Sequence, residues 1–183
     1  MSQNGYSITK ELLKMPQHIR GLAHVLKTNQ MSISRMLWRL YKQNIVDFRQ
    51  EGKNKVFFLK KTLEAKQYAF LYEHEKVLRT LEKYPRLRRI IEQVRRHPHI
   101  HLALIFGSYA DGTATATSDI DLYVETENRK IKEELAVLDS KLSVKLGVFR
   151  GSFLVKEIQK NHLVVKGIEE YYERDTIFAE VAE

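Results

Sequence analysis

The sequence predicts an α+β chain of two unlike parts: an N-terminal helical unit ending in a β-hairpin, then a helical stretch, then a C-terminal α/β part with a small mixed sheet flanked by helices. Three observations predict it. Apolar residues recur at helical spacing as far as Leu40 and then give way to two short runs, IVDFR and KVFFL, separated by a turn at Gly52. The stretch LALIFGSYADGTATATSDIDLYV, Leu102 to Val124, opens as an apolar strand, breaks at Gly107 and Ser108, and re-enters an alternating run holding Asp119 and Asp121. The net charge of +8 is also unevenly spread: residues 1–97 hold 21 Lys/Arg against 8 Asp/Glu, and residues 98–183 hold 10 against 15. A basic front on an acidic back suggests a polyanion-binding module joined to something else.

Composition narrows the classes. The 183 residues suffice for one domain or two small ones, and 43% hydrophobic residues can furnish a core. The absence of cysteine excludes disulfides and thiolate metal sites and fits a reducing cytoplasm, the expected location. No apolar run reaches membrane-spanning length, and the polar start MSQNGYSITK is not that of a signal peptide, so no membrane association is expected.

In the front part, Ser7 to Met15 reads as a helix with Ile8, Leu12, Leu13 and Met15 apolar, closed by Pro16. Gln17 to Leu26 carries Ile19, Leu22, Ala23, Val25 and Leu26 at roughly helical spacing. Thr28 or Asn29 suits the N-cap of a further helix reaching about Gln43, with Ile33, Met36, Leu37 and Leu40 inward. Asn44 stands where a left-handed residue often ends a helix. Residues 45–49 and 55–59 read as the two strands of a hairpin.

From about Ile19 to Leu59, this order of helix-turn-helix and hairpin resembles a winged helix-turn-helix domain, as in bacterial and archaeal regulators of the MarR and ArsR type. The resemblance implies DNA as a partner, with the second helix of the motif in the major groove. Gln30, Ser32, Ser34, Arg35 and Arg39 would then face DNA, and Lys53 and Lys55 in the wing would meet phosphates or the minor groove. A winged helix that binds protein or dimerises is the alternative. Trp38 fits either an interface or the edge of the core.

Thr62 to Tyr84 and Arg86 to Arg96 read as two helices parted by Pro85, too apolar for a solvated linker. They are expected to pack on a domain or to pair with a second copy, which makes a homodimer the expected assembly. The expected division is 1–61 for the winged helix, 62–97 for a helical linker and 98–183 for the C-terminal domain.

In that domain His99–Phe106, Asp119–Val124 and Ser143–Phe149 read as strands. Lys130–Lys141 and Phe153–Asn161 read as helices, and residues 162–174 as a short strand or loop followed by a helix. Residues two apart on a strand share a face, so Asp119 and Asp121 stand side by side. Adjacent carboxylates repel, and their ionised form calls for a cation between them. Hard oxygen ligands suit Mg²⁺, and the Gly107-Ser108 turn offers backbone N–H groups and a hydroxyl to a phosphate. Together these point to metal-assisted nucleotidyl transfer.

A hairpin with two exposed aspartates is the plainer reading of a bare Asp-x-Asp. Here Gly-Ser, ten residues and Asp-Ile-Asp follow one another. That spacing resembles the signature of the polymerase-beta-type nucleotidyltransferase superfamily, and GSYADGTATATSDIDLYV is most similar to its minimal nucleotidyltransferase branch, over about His99 to Tyr172. The resemblance implies catalytic and metal-binding roles for Asp119 and Asp121, and nucleotide contacts from Gly107, Ser108, Tyr109 and Ser118. It implies Mg²⁺, with Mn²⁺ as a substitute, and a nucleoside triphosphate, ATP foremost, as substrate.

The sequence also departs from that pattern. Active members usually carry a third carboxylate on the strand after the intervening helix, where two-metal chemistry uses it. SVKLGVF has none; Lys145 or Gly147 falls about there. A lysine would lower the pKa of both aspartates and compete with a cation. Asp139 and Asp111 are the candidates to replace the missing acid. The seven histidines make no metal set, and His162 is expected to be structural. Two functions therefore stand. One is an enzyme moving a nucleoside monophosphate onto a hydroxyl acceptor, tethered or regulated by its winged helix. The other is a catalytically weak, nucleotide-sensing regulator or an antitoxin-like protein, whose partner by resemblance would be a helical HEPN-type toxin.

Overall fold

A computed structural model describes residues 3–174 and 178. The chain is α+β and divides into two compact units. One takes the described residues up to Tyr72 and from Tyr172 on; the other is Glu73–Tyr171.

The first unit is a winged helix-turn-helix. It holds α1 (Gln3–Lys14), β1 (Gln17–His18), α2 (Ile19–Val25), α3 (Gln30–Lys42), β2 (Val46–Glu51), β3 (Asn54–Leu59) and the start of α4 (Leu63–Lys83). Helix α1 begins earlier than the expected Ser7. The helix expected from Gln17 begins only at Ile19, because Gln17 and His18 are taken into the sheet opposite Phe57 and Val56. His18, extended, caps α2 by accepting the Gly21 N–H at 2.8 Å. Asn29 is the N-cap of α3, its Oδ1 accepting the Ser32 N–H at 2.8 Å. Ile33, Leu37 and Leu40 repeat at i, i+4 and i+7 and are buried with Ile8, Leu22 and Phe57.

Asn44 takes φ +61° as expected, and its carbonyl accepts the Thr62 hydroxyl at 2.6 Å. The wing pairs in register from Val46 opposite Leu59 to Glu51 opposite Asn54. Its two-residue turn places Gly52, φ +58°, at the first central position, where a side chain is disfavoured. The sheet order is β1-β3-β2.

The second unit holds the end of α4, then α5 (Leu87–Arg96), β4 (Ala103–Phe106), α6 (Ser108–Asp111), β5 (Ile120–Glu125), α7 (Arg129–Ala136), β6 (Leu142–Gly147), α8 (Phe153–Lys160) and β7 (His162–Lys166); α9 (Ile168–Arg174) begins in it. The sheet order is β6-β5-β4-β7, with β5 and β6 parallel and the other pairs antiparallel. Helix α7 makes the crossover that a parallel pair requires. The sheet is thus small and mixed, as the sequence predicts. Strand β4 starts four residues later than expected, because residues 97–101 turn first: the Ile100 N–H bonds the His97 carbonyl.

Residues 62–97, expected as a linker, are instead shared. Ala65 joins the core of the first unit, whereas Val77, Leu87, Ile90, Ile91 and Val94 are buried with the sheet residues Ile105 and Leu122 of the second. The apolar stripe of α5 is therefore one layer of the C-terminal domain. No helix among the described residues is long and apolar enough to cross a membrane.

Candidate functional site

The site in the second unit is built where β4 ends and β5 begins. Phe106 pairs with Asp121 across the antiparallel ladder, so the chain leaving β4 turns directly over that carboxylate. The turning residue is Gly107, with φ +67° and ψ −149°, a conformation open essentially to glycine alone. A Cβ there would lie 2.8 Å from Asp121 Oδ2. The backbone at Gly107 is thus as close to Asp121 as a main chain can come. Asp119 lies just before β5 rather than on it, and is exposed, while Asp121 is half-buried.

Four influences act on Asp121, whose pKa is raised. Burial raises it most; the Asp119 charge also raises it, whereas Lys145 and a hydrogen bond from the Ser143 hydroxyl lower it. The register explains the last two. Parallel β6 sets Ser143 beside Asp121 and Lys145 beside Tyr123, so both side chains stand on the face that carries the aspartate. Ser143 escapes sequence reasoning, which settled on Lys145 and Gly147. The signal available was the shared alternation of DIDLYV and SVKLG once their pairing is known.

Neither expected substitute completes an acidic triad. Asp139 accepts two hydrogen bonds from Arg86 Nη2, at 2.9 and 2.7 Å, and one from the Lys141 N–H at 2.9 Å. The guanidinium holds its carboxyl below the usual carboxylate range. Asp111 accepts a hydrogen bond from the Asn161 amide. Among the described residues no three His, Asp or Glu side chains come together as a metal set.

The segment expected as an open loop after Gly107 contains α6. Ser108, half-buried, begins it, and its carbonyl accepts the Thr113 and Ala114 N–H groups. Tyr109 corrects the expectation of a nucleotide contact: it is 2% exposed and its ring stands edge-on to Tyr84 at 4.9 Å, in the core. Ser118 closes the loop, its Oγ accepting the Thr115 N–H at 2.9 Å. Two lysines unforeseen from sequence brace the same loop. Lys83 donates to the Gly112 carbonyl at 2.6 Å, and Lys141 donates to the Ala116 carbonyl. Such long-range pairs leave no local trace in a sequence.

In the first unit, Gln30, Arg35 and Arg39 are exposed on α3, and Ser32 and Ser34 are half-buried there. Gln30, Lys53 and Lys55 converge on a cleft of about 430 Å³ that His18, Arg20 and Gln50 also line. Arg35 lies outside that cleft. Arg39 instead lines a recess of about 100 Å³ with Tyr6, Met36 and Tyr68. Trp38 joins α3 to the wing: its ring is edge-on to Phe48 at 5.6 Å and to Phe57 at 6.2 Å, yet it remains 36% exposed. The Lys55 ammonium lies 4.7 Å above the Trp38 ring and 4.1 Å above that of Phe48.

Residues 88–169 match the family model described as "Polymerase beta, Nucleotidyltransferase". That model covers less than half of the chain, and the match is a likeness of this segment to nucleotidyltransferases. No curated protein matches the chain significantly. Among solved structures, the adhesin competence repressor AdcR of Streptococcus pyogenes is 23% identical with a TM-score of 0.41, over 48% of this chain and 65% of that one. The chain therefore spans just under two thirds of AdcR. The homodimeric winged helix-turn-helix DNA-binding domain Mb0332 of Mycobacterium bovis is 18% identical with a TM-score of 0.35, over 44% of this chain and 70% of that one. The winged-helix assignment rests on the element order and hairpin register of the first unit.

Proposed function

We propose that the domain of residues 88–169 binds a nucleoside triphosphate together with a divalent cation at Asp119 and Asp121, and that the winged helix binds DNA. The observation carrying the first half is the close approach of Gly107 to Asp121. A glycine in a conformation other residues avoid lets the main chain close on the Asp121 carboxylate, so backbone and carboxylate are presented together to one ligand.

The donors present suit a hard cation. They are the two carboxylates with the Ser143 hydroxyl beside them, all oxygen, which favours Mg²⁺ or Mn²⁺ over softer metals. Bound there, the cation would neutralise charge on the phosphoryl group under attack. Gly107 lets the main chain approach the phosphates, Ser108 offers a hydroxyl, and Lys83 and Lys141 fix the loop that carries both. In transfer, an acceptor hydroxyl oxygen bonds to the α-phosphorus, the bond to the bridging oxygen breaks, and pyrophosphate leaves as the hydroxyl proton is lost. ATP is the nucleotide that the resemblance suggests. The test is incubation with α-labelled ATP, CTP, GTP and UTP and Mg²⁺: label moves to an acceptor with the wild type and not with Asp119→Ala/Asp121→Ala. Equal labelling by both proteins overturns the reading.

A second reading is favoured by one observation, that β6 brings no acid to the dyad: Ser143 stands beside Asp121 and Lys145 follows on the same face. In it the domain senses or holds a nucleotide without efficient transfer, and the protein acts as a DNA-binding regulator or as an antitoxin-like partner of a helical HEPN-type toxin. The cleft joining Gln30 to Lys53, Lys55 and Arg20 supports the DNA half of both readings, since it gathers basic and amide side chains between the recognition helix and the wing. A homodimer is proposed from the resemblance alone.

A further inference from the structure

Helix α5 and its N-cap carry the net positive charge of the second unit. From Arg86 to Arg96 there are five arginines against Glu92, whereas the rest of Glu73–Tyr171 holds 12 Lys/Arg against 14 Asp/Glu. Leu87, Ile90, Ile91 and Val94 are buried, which leaves Arg88, Arg89, Arg95 and Arg96 together on the outward arc, all exposed. Residues seven apart nearly eclipse on a helix. Arg88 therefore stands in line with Arg95 and Arg89 with Arg96, about 10 Å along the axis.

Ordinary helix chemistry accounts for part of this charge. Arg95 and Arg96 stand in the last turn, where cations complement the helix dipole. Arg96 pairs with Glu92 at 2.5 Å, Arg95 donates from Nε to the Val165 carbonyl at 2.9 Å, and Arg86 holds Asp139. Arg88 and Arg89 have no such account. They stand in the first turn, which holds no acid, and there the dipole disfavours a cation. Among the described residues neither side chain has a hydrogen bond or an ion pair. Their placement lowers the stability of the helix instead of raising it.

We propose that the arginine face of α5 is a second polyanion site, which binds the phosphate backbone of duplex nucleic acid without reading its sequence. The guanidinium fork matches phosphate oxygens, and two pairs set two turns apart reach separate phosphates. No aromatic residue occurs in α5, so the arc offers no platform for unstacked bases, which favours a duplex over a single strand. The bond from Arg95 to Val165 fixes the arc on the domain and leaves the Nη groups of Arg95 for a ligand. The site is separate from the dyad, because α5 packs with Ile105 and Leu122, on the sheet face opposite Asp121. It depends on neither the nucleotide reading nor DNA binding by the winged helix.

The test is binding of a fluorescent duplex of random sequence to the full chain, followed by anisotropy over a range of salt concentrations. Arg88→Ala/Arg89→Ala is compared with wild type and with Lys156→Ala/Lys160→Ala, which removes the same charge from the exposed side of α8. The arginine substitution should lower the slope of log affinity against log salt by about 2, equally on duplexes of different sequence. Its Tm should equal or exceed that of wild type, because two cations leave the positive end of a helix. The same loss should appear in an Arg20→Ala/Lys53→Ala background, which weakens only the winged helix. An unchanged slope, an equal change in the α8 variant, or disappearance of the effect in the winged-helix background overturns the inference. Tighter binding of poly-glutamate than of the duplex, lost on Arg88→Ala/Arg89→Ala, overturns it in favour of an acidic protein partner.

Discussion

The main chain at Gly107 passes so near Asp121 that a single added carbon would come within 2.8 Å of the carboxylate oxygen. The same glycine sits at φ +67°. A side chain there would force Asp121 to shift, and the backbone conformation is one that residues other than glycine avoid. Gly107→Ala should weaken nucleotide binding beyond detection, by displacing Asp121 or closing the space beside it. The strain should also lower stability by about 1–3 kcal/mol. Fluorescent-nucleotide titration and thermal melting read the two effects separately. Binding retained by a folded Gly107→Ala variant would show that nothing needs that space.

Asp121 illustrates a conflict between stability and function. Burial and Asp119 raise its pKa, so its carboxyl contributes most favourably below the unfolded value of 3.8, and that contribution is lost as pH rises through the higher folded value. Asp121→Asn should therefore be slightly more stable at pH 7, by less than about 1 kcal/mol after allowance for solvent screening, or about 2–4 °C in Tm at most. The gain should shrink as pH falls below the acid's titration range. The same variant should lose divalent-cation-dependent nucleotide binding. Scanning calorimetry at pH 7 and pH 3.5 tests the first part; a variant less stable than wild type at both would contradict it.

His162 carries a second pH dependence, unrelated to chemistry at the dyad. It is buried, its Nδ1 lies 3.0 Å from the Ile158 carbonyl, and its ring lies 4.6 Å from that of Tyr171. Burial, with the nearby Lys76 charge, brings its pKa down to about 3 from the model-compound value of 6.5. The unfolded chain takes up a proton below pH 6.5 that the folded one refuses. Stability from this residue is thus complete above that value and declines as pH falls toward 3. His162→Phe should flatten the acid limb of the stability curve between those limits. Urea melts at pH 7.0, 5.5 and 4.5 would show it, and parallel curves for the two proteins would refute it.

On the winged helix, Lys53→Ala and Arg20→Ala should weaken DNA binding nearly equally for all sequences. Each should reduce the slope of log affinity against log salt by about 1. Arg35→Ala should act on sequence preference instead, because Arg35 is exposed on α3 outside the wing cleft. Arg39→Ala should have the smaller effect of the two α3 arginines, because that side chain lines the recess beside Tyr6 and Tyr68. Gel-shift titrations at several salt concentrations measure all four variants.

What the sequence made legible follows the range of the interactions concerned. Asn29 as cap, Asn44 as left-handed end, the hairpin around Gly52 and the helical stripe of α5 are set by residues a few positions apart, and each is where the pattern places it. The Gly107-Ser108 turn beside an Asp-x-Asp run was legible as a motif because turn chemistry is local too, although strand alternation placed Asp119 on the strand and it lies just before β5. Partners joined only by the sheet were not. Ser143 meets Asp121 through parallel pairing, and β1 forms only because the returning wing strand offers it an edge. Lys83 and Lys141 reach loop carbonyls 29 and 25 residues away. Tyr109 was misplaced for a related reason: next to a glycine-serine turn an aromatic looks available to a ligand, and only the presence of Tyr84 shows its ring to be core. The acid expected on the third strand gave the most informative departure, because Lys145 on that strand face reverses the charge there.

The central claim is that Asp119, Asp121 and Gly107 form one cation-dependent nucleotide site. Equilibrium binding of a non-hydrolysable ATP analogue by isothermal calorimetry, with Mg²⁺ and then with EDTA, tests it most directly. The wild type should bind with Mg²⁺ and lose most of that affinity on chelation, whereas a folded Asp119→Ala/Asp121→Ala variant should bind equally poorly in both. Wild-type affinity that is absent with Mg²⁺, or unchanged by chelation and by the double substitution, would contradict the account.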